Sequence, residues 1–220
     1  MNETIRNIIL IAPPLLFSLC FHEYAHAWVA NKLGDPTAKY MGRLTLNPMA
    51  HISLMNTIIF PILLSIMGLP PLGAAKPVPI DPRNFKDPQK GMALSAVAGP
   101  LSNILLGAIF AFTLAVMVVF VKSDNKLLGT LAQMLAQGVY INMIFAFFNL
   151  IPLPPLDGSR VLTMFLSYKQ AARLDMLAPY SFILIIVLLY TGALNIIMVP
   201  VNFFSHYFLN ISYNILTGLL

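Results

Sequence analysis

The chain has 220 residues, of which 58% are hydrophobic and 10% charged, and its mean hydropathy is +0.80. A water-soluble domain carries about 25% charged residues, so composition excludes that class and indicates a polytopic membrane protein, read as one domain over residues 1–220. The net charge of +5 and pI of about 9.4 would suit nucleic acid, but the basic residues lie between apolar stretches, where they set orientation in a bilayer. The expected partners are therefore the lipid bilayer and other membrane proteins, with no nucleic acid. The single cysteine, Cys20, excludes an intrachain disulfide.

The first span is expected over residues 5–31, bent at Pro13-Pro14. It is read as retained rather than as a cleaved signal, because no A-x-A site precedes the motif that follows. Its second half contains His22-Glu23-Tyr24-Ala25-His26. Helical positions four apart are rotated by only about 40°, so His22 and His26 share a face and can reach one metal ion. Neutral imidazole is a good zinc ligand. Glu23 is turned about 100° from His22, where its carboxylate can take a proton from a metal-bound water. H-E-x-x-H on a helix is the spacing of zinc metalloproteases. The competing reading is a chance burial of three ionisable groups, which at bilayer depth costs a few kcal/mol or more.

Residues 38–46 alternate, with Tyr40, Leu44 and Leu46 on one side and Lys39, Arg43 and Thr45 on the other, which predicts a strand. Residues 52–69 are apolar but barely long enough to span, and read as a short helix or a re-entrant hairpin turning near Pro61. Residues 76–90 are a proline-rich extended loop. A long span is expected over 91–121, opened by Ala98-Gly99-Pro100, then a turn from Lys122 to Lys126 and a span over 127–150. Pro152, Pro154 and Pro155 break the chain before Asp157. Residues 176–220 have no Asp, Glu, Lys or Arg and suit two spans with a turn near Pro200. The fold expected is an all-α polytopic membrane protein with about five to six transmembrane or re-entrant helices and a short membrane-associated β element.

A catalytic zinc site uses three protein ligands and an open position. Among the carboxylates, Asp157 alone follows a proline-broken segment at the end of an apolar span. It is either a helix cap, ordinary for Asp-Gly, or the third ligand. The ligand is favoured, because non-helical backbone at membrane depth is tolerated where it lines a cavity.

With these residues in view, the chain resembles the site-2 protease family of intramembrane zinc metalloproteases. The resemblance rests on His22-Glu23-Tyr24-Ala25-His26 together with N-x-x-P-x-P-x-x-D-G from Asn149 to Gly158. Ala98-Gly99-Pro100-Leu101-Ser102-Asn103, Gly42 to Pro48 and Ala75-Lys76-Pro77-Val78-Pro79 also look like segments of its small bacterial and archaeal members. The resemblance implies one zinc on His22, His26 and Asp157, with Glu23 as general base and acid. It implies a substrate-binding role for Asn149, and a strand at 38–46 that pairs with an unwound substrate. His51 stands in Asn47-Pro48-Met49-Ala50-His51-Ile52-Ser53, where many small members have H-x-D, and is read as an interfacial structural histidine. His206 and Cys20 are read as packing. No stretch reads as a PDZ or CBS region.

If 52–69 is re-entrant, ten of the thirteen lysines and arginines fall on the side of the site, which puts it toward the cytoplasm of a prokaryotic plasma membrane. If 52–69 spans, the split becomes five against eight. The function expected is hydrolysis of peptide bonds in or near transmembrane segments of membrane proteins. The alternatives are a proteolytically silent membrane chaperone of the same fold, against which Glu23 argues, and a metal-ion transporter, against which the lack of an inverted repeat argues.

Overall fold

A computed structural model describes residues 3–59, 63, 75–121 and 125–218. Helix α1, Glu3–Lys32, runs through Pro13 and Pro14. Two single turns follow, α2 at Thr37–Tyr40 and α3 at Pro48–His51, then a short π-helical stretch at Leu54–Ile59. Helix α4, Pro88–Phe120, begins with the Asp87 carboxylate accepting from the Lys90 amide and with Pro88 in the first turn, as helix starts favour. It continues through Ala98-Gly99-Pro100, which was expected to open it. Helix α5 is Lys126–Asn149, α6 is Asp157–Thr163 and α7 is Tyr168–Asp175; α8, Ser181–Tyr190, and α9, Asn195–Thr217, end the chain.

Helices α1, α4 and α5 pack on one another, α9 packs on α4 and α5, and α6 packs on α4. The buried residues of α4 are mostly small: Ala93, Ala96, Gly99, Gly107, Ala111 and Ala115. They recur at three- and four-residue spacing, so they form one face that lets neighbouring backbones come close, as helix packing in lipid requires. Gly107 lies against Met143 of α5, where a Cβ would be 2.5 Å from the methionine Cε. On the opposite face Leu101, Leu105, Ile109 and Phe112 are exposed. A helix apolar on every face belongs in a protein core or a membrane, and the open apolar face of α4 suits the membrane.

Several expectations are corrected. No strand occurs among the described residues. Residues 38–46 are instead the end of α2 and an irregular return in which the Arg43 amide donates to the Ala38 carbonyl at 2.8 Å. Gly42 at φ +67 makes that turn, a conformation easy only for glycine. The alternation does not sort these side chains into two faces: Tyr40 is 82% exposed and Arg43 8%, while Lys39 is exposed beside Tyr40 and Leu44 and Thr45 are both half-buried. Three helices among the described residues are long and apolar enough to cross a membrane, within Arg6–Lys32, Pro88–Phe120 and Lys126–Asn149. A fourth is reached if Tyr168–Tyr180 and Ile183–Tyr190, bent by 75°, count as one span; the expected five to six included re-entrant helices, and the 52–69 candidate lies largely outside the described residues. Helix α9 is not among these candidates, although it is 23 residues long and has no Asp, Glu, Lys or Arg. The turn expected near Pro200 lies at residues 191–194, where Gly192 takes φ +74 and ends α8; Pro200 lies inside α9. His206, expected to pack, is exposed. The alternatives for 52–69, and the turn after Val121, fall largely outside the described residues.

Candidate active site

The site forms where α1, α4 and the start of α6 meet. His22, Glu23 and His26 are 7%, 8% and 6% exposed. His22 Nε2 and His26 Nε2 are 3.0 Å apart, and Asp157 Oδ2 lies 3.2 Å from the first and 3.3 Å from the second. Asp157 is brought there from far along the chain. The segment 150–156 folds in tight turns, with the Leu153 amide on the Ile151 carbonyl and the Leu156 amide on the Leu153 carbonyl, and Asp157 opens α6. Gly158 lets this turn close. A Cβ there would fall 2.5 Å from the Ile151 carbonyl oxygen and closer still to that of Leu150. Gln89, at the start of α4, donates to the Thr163 and Leu166 carbonyls and so holds the far end of α6.

Each imidazole is fixed through its other nitrogen. His26 Nδ1 is 2.7 Å from the Ser95 carbonyl oxygen, and His22 Nδ1 is 2.6 Å from Asn103 Oδ1. Both partners are acceptors, so each Nδ1 carries the proton and each Nε2 presents a lone pair. Neutral rings in this state cannot hydrogen-bond across the 3.0 Å between the Nε2 atoms. Asp157 Oδ2 is buried without a hydrogen-bond partner among the described residues. Three lone-pair donors thus converge with nothing to neutralise their mutual repulsion, which is the donor set of a cation site. Their separations are near the ligand–ligand edge of about 3.3 Å for a tetrahedral zinc shell with bonds of about 2.0–2.1 Å. His22, His26 and Asp157 therefore fit a metal ion. The arrangement with each Nδ1 bound to an acceptor is the usual one for metal-binding histidine.

Gly99 of α4 forms the floor beneath both rings. A Cβ there would overlap the His26 ring and come within 2.6 Å of His22 Cε1. Sequence reading singled out Gly99 and Asn103 only as parts of a motif and assigned neither a role. It missed Asn142, which donates to the Gly138 carbonyl and accepts from Asn103. The signal available was two asparagines in apolar spans, where an unpaired amide is costly.

Glu23 is not part of the convergence. Its Oε2 accepts from the Val78 amide at 2.9 Å, so the chain around Ala75-Lys76-Pro77-Val78-Pro79 lies against the glutamate. That segment is held in turn: the Lys76 amide donates to the His51 carbonyl at 2.8 Å, and the Arg43 guanidinium donates to the Lys76 carbonyl at 2.5 Å. His51, 2% exposed, is 2.8 Å from the Thr45 carbonyl oxygen through Nε2. It pins the loop and does not join the three-residue group. Asn149, the last residue of α5, donates through Nδ2 to the Phe145 carbonyl at 2.9 Å.

Outside the apolar spans, Asp35 ties α1 to the chain that leads into α4. Its carboxylate accepts from the Thr37 hydroxyl at 2.5 Å, the Thr37 amide at 3.1 Å, the Asp81 amide at 2.8 Å and Asn84 Nδ2 at 2.8 Å. Burial alone would raise its pKa. The hydrogen bonds from Thr37, Asn84 and Asp81 outweigh that and hold the carboxyl below its ordinary range.

Comparison with known proteins gives the family. The model of Peptidase family M50 matches residues 115–190, a stretch that includes Asn149 and Asp157. The chain is 37% identical over 187 residues to "Putative zinc metalloprotease YwhC" of Bacillus subtilis (strain 168), covering 84% of this chain and 82% of that protein. It is 30% identical over 207 residues to "Putative zinc metalloprotease Rip2" of Mycolicibacterium smegmatis, covering 88% and 73%. "Zinc metalloprotease MJ0392" of Methanocaldococcus jannaschii is 27% identical over 214 residues, covering 94% of this chain and 50% of that protein. No solved structure matches the chain significantly. From the extent of these matches and the buried His-His-Asp group, the chain belongs to peptidase family M50, the site-2 protease family, and is an enzyme of the zinc metalloprotease class.

Proposed function

We propose that the chain is an intramembrane zinc endopeptidase that hydrolyses peptide bonds in or near transmembrane segments of other membrane proteins. His22, His26 and Asp157 hold the zinc, one per chain, and Glu23 is the general base and then the general acid. When bound, zinc lowers the pKa of a coordinated water and polarises the scissile carbonyl. The observation that carries this reading is the convergence of His22 Nε2, His26 Nε2 and Asp157 Oδ2 within 3.3 Å of one another, with both Nδ1 atoms already committed to acceptors.

The protein's own groups supply the rest. Glu23 sits one residue from His22 on the same helix, buried, with one carboxylate oxygen steadied by the Val78 amide. A carboxylate so placed takes a proton as water attacks and returns it to the leaving amine. Asn149, at the end of α5 near the segment that carries Asp157, is proposed to hold the substrate backbone through its amide oxygen. A transmembrane helix has its backbone groups paired internally, so the substrate must be opened locally before hydrolysis. With 52–69 re-entrant, the excess of lysine and arginine on the side of the site supports a location toward the cytoplasm of a plasma membrane.

The test is hydrolysis of a single-span membrane protein by the purified chain in lipid. The expected result is cleavage that a chelator stops, that added zinc restores, and that Glu23→Gln lacks. Wild-type chain that binds zinc yet cleaves no membrane-embedded substrate would sink the reading.

A further inference from the structure

The two histidines of the site are oriented by partners of different kinds. His26 Nδ1 donates to the main-chain carbonyl of Ser95 at 2.7 Å, an acceptor that cannot change character. His22 Nδ1 faces a side-chain amide, Asn103, which has an acceptor at one end and a donor at the other. If that amide turned over, its NH2 would meet Nδ1. The His22 proton would then move to Nε2, the atom aimed at Asp157 and His26.

A relay of hydrogen bonds decides which end faces His22. It starts at the Gly138 main-chain carbonyl, which can only accept. Asn142 Nδ2 donates to it at 2.7 Å, which leaves Asn142 Oδ1 facing Asn103. Asn103 Nδ2 donates to that oxygen at 2.8 Å, and more weakly to the Ser18 carbonyl at 3.2 Å. Asn103 Oδ1 is thereby left for His22 Nδ1, at 2.6 Å. Both asparagines are fully buried, so water does not compete for these groups.

We propose that Asn142 is a positioning residue for the metal site: it sets the amide orientation of Asn103 and, through it, the His22 tautomer that leaves Nε2 free to bind. The proposal rests on His22 being a metal ligand, as argued above. Asn142 touches neither the metal group nor any reacting atom, and its contribution passes entirely through Asn103.

The test is zinc affinity of the purified full chain, measured against a competing chelator without reference to proteolysis. Wild-type chain must first bind one zinc that Asp157→Ala does not; if it does not, the ligand reading itself fails. Removal of a group that orients a metal ligand costs about 10–100-fold in metal affinity, and Asn142→Ala is expected at the lower end, about 10-fold. Asn103→Ala should weaken zinc at least as much, and the double variant no more than Asn103→Ala alone, because the two act in series. Asn142→Asp keeps an oxygen to accept from Asn103 and should recover part of the loss. Should Asn142→Ala fail to accumulate in the membrane, Asn142→Leu, near in size and without a hydrogen-bonding group, carries the same comparison. Wild-type affinity in Asn142→Ala or Asn142→Leu, additive losses in the double variant, or no recovery in Asn142→Asp overturns the proposal while leaving the zinc site standing.

Discussion

The amide of Val78 donates to Glu23 Oε2 at 2.9 Å, so a residue 55 positions along the chain steadies the carboxylate proposed as the general base. Pro77 and Pro79 flank Val78, which restricts it to extended backbone. Val78→Pro deletes the donor in a segment already suited to proline. A buried carboxylate that loses one amide hydrogen bond loses about 1–3 kcal/mol of positioning, and turnover is expected to fall about 10-fold or more with zinc content unchanged. Val78→Ala retains the amide and should turn over near the wild-type rate. Equal rates in the two variants would remove Val78 from the account of Glu23.

Metal content and activity should separate among the acidic residues. Glu23→Gln is expected to abolish hydrolysis while one zinc per chain stays bound. Asp157→Ala should lose both together, because the two imidazoles then face the ion without an anionic partner in a low-dielectric site. Asp175, exposed at the end of α7, should change neither when replaced by alanine. Metal analysis and a cleavage assay on the three purified variants read this directly. Asp157→Ala with full zinc and normal cleavage would reduce Asp157 to a helix cap.

Two glycines should behave as site residues although neither carries a functional group. Gly99→Ala places a methyl group against both imidazoles, and the rings must shift. Gly158→Ala meets main-chain atoms of Leu150 and Ile151, which cannot rotate away, so Asp157 moves with the start of α6. Overpacking of this kind costs about 1–3 kcal/mol. Both variants are expected to lose zinc and activity, whereas Gly129→Ala, which meets nothing within 4 Å, should retain both.

Asp35 gives the fold an acid limit. Its carboxyl lies below its ordinary range in the folded chain, and the unfolded value is about 4. The stability it contributes is therefore fully present above about pH 4 and is lost as pH falls through the lower, folded value. Thermal midpoints measured from pH 6 downward should drop in this window more steeply for wild type than for Asp35→Ala. The variant should be less stable at neutral pH, since its change leaves the Thr37 and Asp81 amides without their acceptor. Parallel pH profiles for the two proteins would show that Asp35 is not the group responsible.

Orientation is open to a direct check. A tag between Arg83 and Lys90 should be reachable only from the cytoplasm, and one between Lys122 and Lys126 only from outside. Exposure of the first tag on the outer face would mean that residues 52–69 cross the membrane.

The family and the candidate metal group were legible in the sequence because their signals are local. His22 and His26 share a helical face by spacing alone, and the membrane class follows from the scarcity of charge. Asp157 could be singled out because three prolines mark a break ahead of it. The signal that depends on local alternation misled: residues 38–46 alternate like a strand, yet Gly42 turns them and Arg43 is buried. What only the tertiary structure decided is how distant residues meet. The smallness of Gly99 matters because α4 crosses α1 at the two imidazoles, and that of Gly158 because the chain doubles back at Leu150. Asn103 and Asn142 lie on different helices, 39 positions apart. No periodicity links them, and only the packing of α4 between α1 and α5 turns two buried amides into the partners that orient His22.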